Sequence, residues 1–120
     1  MRNLIVTTYL LITGLTAFPS EASIRLSASE CLAVYGAAAY NIAAQRDNKI
    51  SKDTFLKQYN TYLSGLNIPA TDVAILEAVD IMKDLVDYVY LSPKTKEELF
   101  DEKSTQCLSS KGVLRRNEVL

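Results

Sequence analysis

The chain has 120 residues, 48% of them hydrophobic and 22% charged, with a formal net charge of −1 and no histidine. That length holds one domain at most, and the near-neutral balance gives no support for nucleic-acid binding as a property of the whole domain. The missing imidazole excludes a histidine-dependent catalytic triad and a histidine-ligated zinc site. Four glycines and three prolines argue against a disordered or loop-built scaffold, and neither a phosphate-cradling glycine loop nor a dinucleotide fingerprint is present.

At the N-terminus Arg2 precedes a mostly apolar run from Leu4 to Phe18, then small residues at Ser20 and Ala22. This is the layout of a secretory signal peptide, with cleavage expected after Ala22. The competing reading is an uncleaved anchor. The run is shorter than the roughly 20 apolar residues that span a bilayer, and it is broken by Thr7, Thr8, Thr13, Gly14 and Thr16. After cleavage no segment is long and apolar enough to cross a membrane. The expected organisation is a leader at 1–22, a helical domain at 23–108 and a frayed tail at 109–120.

Export makes the two cysteines informative, because an even count in an oxidising compartment is most simply a disulfide. Cys31 with Cys107 is the only intramolecular pairing; two free thiols or an intermolecular bridge are the alternatives. Closing that loop would stabilise the fold by about 4 kcal/mol in the chain-entropy model.

Four helices follow in order. Ser27 and Glu30 form a Ser-x-x-Glu capping box, after which Cys31, Tyr35, Ala38, Ile42 and Gln45 keep helical spacing. Ala33, Gly36, Ala37 and Ala39 thin the neighbouring faces so that another helix can come close. Asn48 is the candidate left-handed residue after this helix. Ser51 caps a second helix carrying Phe55, Leu56, Tyr59, Tyr62, Leu63 and Leu66, with Gly65 ending it.

The third, 72–91, is the organising one. Ile75, Val79, Met82, Val86 and Val89 fall on one stripe, widened by Ala78 and Leu85. Glu77, Asp80, Asp84 and Asp87 occupy the opposite side, with Lys83 placed for surface ion pairs within the helix. Asp72 suits its positive end, and Ser92-Pro93 stops it. The fourth starts with Pro93 in its first turn and Glu97 and Glu98 near its positive end, and turns Leu99, Phe100 and Cys107 inward. Ser109, Ser110 and Gly112 beyond it read as a solvated tail, with Val113 and Leu114 leaving room for a short docking helix. The expected fold class is therefore all-α, a compact four-helix domain stapled by one disulfide.

The residues also resemble a pattern in small exported proteins of Gram-negative bacteria, mostly uncharacterised, all-helical and with a terminal cysteine pair. The resemblance rests on Cys31 opening an Ala-rich helix, Ile42-Ala43-Ala44-Gln45-Arg46-Asp47 with Ser51 after it, Val89-Tyr90 with Pro93, and Cys107. It implies a periplasmic address and a compact helical fold, and it carries over no catalytic residue. Lys49 departs from it, since glycine is expected in the turn after Arg46-Asp47. A looser likeness is to helical, disulfide-containing periplasmic immunity proteins.

A single helix cannot wrap its carboxylates around a hard cation, so the acidic row reads as a solvated face and no metal or cofactor is expected. Ile81 and Tyr88 lie on the flank of the core stripe. If left uncovered they form an apolar patch rimmed by Glu77 and Asp84, a candidate surface for binding another protein; a neighbouring helix packed there is the plainer account. The expected function is therefore non-catalytic protein–protein binding, of inhibitor, immunity or assembly-accessory type. A carrier with an apolar cavity lined by Tyr35, Phe55, Tyr59 and Met82 is the alternative, and a carboxylate-based hydrolase a third reading.

Overall fold

The computed structural model describes residues 16–18 and 23–116. Four helices form the body: α1 over 28–47, α2 at Lys52–Ser64, α3 at Val73–Leu91 and α4 at Lys96–Ser109. Three short strands accompany them, β1 at Thr16–Phe18, β2 at Ser23–Arg25 and β3 at Val113–Arg115. They make one antiparallel sheet in the order β1-β2-β3. Most of the proposed leader, 1–15 and 19–22, lies outside the described residues.

Helix α1 begins as its sequence dictates. Ser27 Oγ accepts from the Glu30 amide, and the Ser27 amide donates to Glu30 Oε1 at 2.8 Å, the reciprocal pair that satisfies two orphan donors. The turns from Cys31 to Gly36 are π-helical, a widened stretch in which Cys31, Val34, Tyr35 and Gly36 are all buried. A Cβ on Gly36 would lie 2.0 Å from Ser104 Oγ and 3.2 Å from the Phe100 ring. Here the absence of a side chain is what lets α4 reach α1. Cys31 and Cys107 are disulfide-bonded at the same interface, with Cα atoms 5.5 Å apart.

The turn after α1 corrects one expectation. Asn48 keeps a right-handed φ of −83°, and Lys49 takes the left-handed position at φ 67°. The Lys49 amide donates to Arg46 O and the Ile50 amide to Gln45 O, the two bonds of a Schellman ending. The position where glycine was expected is thus the one that needs a positive φ. Gly65 is likewise not left-handed, with φ −73°; that role falls to Asn67, φ 51°.

Helix α3 is capped by Asp72, whose Oδ1 accepts from the Ile75 amide at 3.2 Å. It stops at Leu91 as Ser92 turns extended. The Arg46 guanidinium closes this end, donating to Val89 O in the last turn at 2.9 Å and, just beyond the helix, to Ser92 O at 3.0 Å and Lys94 O at 2.9 Å. A fixed cation against the negative end of a helix is favourable. Beside it Tyr90 donates to Ile50 O at 2.7 Å and tilts against Phe55, ring centroids 6.2 Å apart. Arg46 thus joins α1 to the end of α3 at Val89, and the neighbouring Tyr90 joins the same end to Ile50 and to Phe55 of α2.

Helix α4 starts later than Pro93 suggested. Thr95 is its N-cap, paired with Glu98 in a second capping box. At its other end Lys111 (φ 56°) and Gly112 (φ 80°) reverse the chain, with Gly112 N–H donating to Cys107 O at 2.7 Å. A Cβ on Gly112 would fall 1.8 Å from Leu26 O, and Leu26 N–H donates to Gly112 O. The segment read as a frayed tail is therefore docked through 116, as a strand rather than a helix. β3 pairs with β2, and Leu114 joins Ile24 and Leu26 in the core.

Candidate functional site

The four residues singled out from the α3 flank do not form a surface site. Ile81 is fully buried, on a helix α3 that packs on α1, α2 and strands β1 and β2. Arg116, just past β3, donates to both carboxylate oxygens of Asp84 at 3.1 and 3.3 Å and lies 3.7 Å from Asp80. Asp87 pairs with Lys52 of α2 at 3.2 Å. These bridges join different elements, where pairing with Lys83 inside the helix was anticipated. Glu77 is half-buried with Oε1 enclosed and without a hydrogen bond among the described residues, and burial pushes its carboxyl above the ordinary range.

Tyr88 is held on α4 instead. Its hydroxyl donates to Glu102 Oε1, and the ammonium of buried Lys103 sits 3.8 Å above its ring. Lys94 takes the other Glu102 oxygen, and Lys103 Nζ also donates to Gln106 Oε1 at 3.0 Å. Burial alone would raise the Glu102 carboxyl, but the hydrogen bonds from Lys94 and Tyr88 turn the shift downward. Burial pushes the Lys103 ammonium down. With Lys103 only 2% exposed, this cluster ties α3 to α4, while Lys94 and Glu102 on its outer side remain partly open to solvent.

A surface that can receive something lies on the other side of α4. Ala37, Tyr40 and Asn41 of α1 face Glu97, Phe100 and Asp101 of α4 across an open groove of about 490 Å³. Each helix supplies residues at i, i+3 and i+4, the spacing that stacks side chains on one face. Gly36 sets its depth, since Phe100 lies where a larger residue there would press. Tyr40 and Phe100 are half-buried, whereas Glu97 and Asp101 are exposed. The floor is therefore apolar and aromatic and the rim acidic. Lys96, the first residue of α4, places its ammonium 5.4 Å from the Tyr40 ring centroid.

The sequence turns Phe100 inward and puts Glu97 near a helix start. The two triplets were visible, but only the pairing of α1 with α4 makes them one groove. A second cleft, about 550 Å³, lies between α2 and α3 and is lined by Asn60, Leu63, Asn67, Ile68 and Leu76 among others. Tyr35, Phe55, Tyr59 and Met82, the residues a carrier cavity would need, belong to the continuous buried core.

Among the described residues no group of three or more cysteines and carboxylates is arranged to hold a metal ion, and no helix is long and apolar enough to cross a membrane. Compared with family models, curated proteins and solved structures, the chain matches none.

Proposed function

We propose that the chain is an exported, non-catalytic helical domain that binds another protein, and that the α1–α4 groove is its docking surface. The observation that carries this reading is the groove itself: an aromatic floor with an acidic rim, built on two helices joined covalently through Cys31 and Cys107. Rigid elements hold a recognition surface in place at little entropic cost on binding. Tyrosine is enriched at such surfaces, where its ring gives area and its hydroxyl stays wet. Exposed carboxylates on the rim, with no imidazole in the chain, suit recognition better than proton transfer. The signal-peptide layout at the N-terminus and the disulfide support an oxidising compartment, the periplasm in the resemblance described above.

The test is site-specific photocross-linking in the exporting cell, with a benzophenone side chain at position 101 in the groove and, separately, at position 57 on exposed α2. A discrete adduct from position 101 only, abolished by Tyr40→Ala, is the expected result. Equal adducts from both positions, or an adduct indifferent to Tyr40→Ala, would overturn the assignment of the groove.

A further inference from the structure

We infer that the groove recognises a cationic side chain, a lysine or arginine borne on an apolar segment of the partner, and that Lys96 occupies the cation's place when the groove is empty. The inference rests on the docking reading above and names the chemistry of the occupant. Two independent features lead to it. Glu97 and Asp101 put two carboxylates on the rim beside Tyr40 and Phe100, so a cation entering the groove meets charge of opposite sign at its edge and ring faces at its floor. Lys96 supplies the second: the protein's own ammonium already rests over the Tyr40 ring.

Lys96 stands at the start of α4, the positive end of the helix dipole, where a cation is disfavoured. Its contact with Tyr40 relieves some of that cost. A partner's lysine or arginine must displace it, and the displaced ammonium swings into water on its four-carbon stem. Lys96 therefore acts as a competitor held in reserve, which weakens binding of any cation that does not also gain contact with Ala37 and Phe100. The other lysines close to α4 are committed elsewhere, Lys94 to Glu102 and Lys103 over Tyr88.

The experiment is an NMR titration of the folded, oxidised protein with capped pentapeptides whose central residue is lysine, norleucine or glutamate between leucine and alanine. The lysine peptide is expected to shift the Tyr40, Asn41 and Phe100 resonances, binding about two- to fivefold more tightly than the norleucine peptide, the size of an exposed cation–π contact. Lys96→Ala should tighten the lysine peptide by a similar factor and the norleucine peptide with it, since either side chain must displace the ammonium from the Tyr40 ring. Neutralising the rim with Glu97→Gln and Asp101→Asn should reduce the preference to what the ring contact alone supplies, and added salt should diminish it. Equal binding of lysine and norleucine peptides, or no gain from Lys96→Ala, overturns the cation inference while leaving the groove a docking site. Peptides that shift nothing in the groove, combined with the indiscriminate cross-linking described above, overturn both.

Discussion

The two halves of the molecule are held by different means. α1 and α4 meet closely, the Gly36 main chain against the Ser104 and Phe100 side chains, with a disulfide joining the same pair of helices. α2 reaches the core through Phe55 and Tyr59 alone as fully buried residues, with Leu56, Tyr62 and Leu63 half-covered. A contact made by main chain and covalent bond leaves little freedom to lose or regain, whereas a helix hung on two rings can lift as a unit at modest cost. The contrast places the candidate groove on the stiff side and local opening on the soft side.

The largest effect is expected from cutting the staple. Replacing Cys31 and Cys107 by serine opens a loop whose ends are 76 residues apart in sequence, which should cost about 4 kcal/mol in urea unfolding by the chain-entropy estimate. The groove resonances should broaden with it. Next, Phe55→Ala, which empties a site only 2% exposed, should cost about 3 kcal/mol. Hydrogen exchange should then quicken across α2 while α1 and α4 keep their relative protection; uniform loss over all four helices would erase the distinction between the halves.

On the stiff side Gly36→Ala should cost about 1–2 kcal/mol in spite of alanine's better helix propensity, because the new methyl meets Ser104 Oγ and Phe100. Ser104 Oγ is buried without a hydrogen-bond partner among the described residues. Ser104→Ala should therefore be neutral or mildly stabilising and should recover some of the Gly36→Ala loss, a coupling that a double-mutant cycle in the same unfolding assay measures. The smallest changes are gains. Lys49→Gly relieves a positive φ and should add about 0.5–1 kcal/mol. Gly65→Ala, at a right-handed position with room around it, should add about 0.5 kcal/mol. Both are read as a rise in the unfolding midpoint, and a loss at either would show that the turn geometry is tighter than described.

What was legible in the sequence was whatever is written locally. Ser27 with Glu30, Ser51, Asp72 and Ser92-Pro93 each act within a few residues, and each marks a helix boundary where it was expected. The cysteine pairing followed from there being only two. Ile81 is buried because α3 has more neighbours than a single helix wheel can show, strand β2 among them, which comes from a segment far away in sequence. Gly112 carries the same lesson: surrounded by serines it looked like a loose end, yet its φ of 80° and the approach of Leu26 O make it a required corner. Lys103, a charged residue in a helix with few apolar anchors, is buried over a tyrosine. For the groove, both helical triplets were readable, and the missing information was which helix faces which.

The antiparallel pairing of Ser23 with Arg115 has a mechanical consequence. Tension applied at Ser23 and Arg115 would load β2 and β3 from the same end, so their hydrogen bonds would break in succession, like a zip. The opening would run back to Cys31 and Cys107, where the sulfur–sulfur bond takes the strain. Everything between them, the groove included, would be shielded from the pull and would keep its shape.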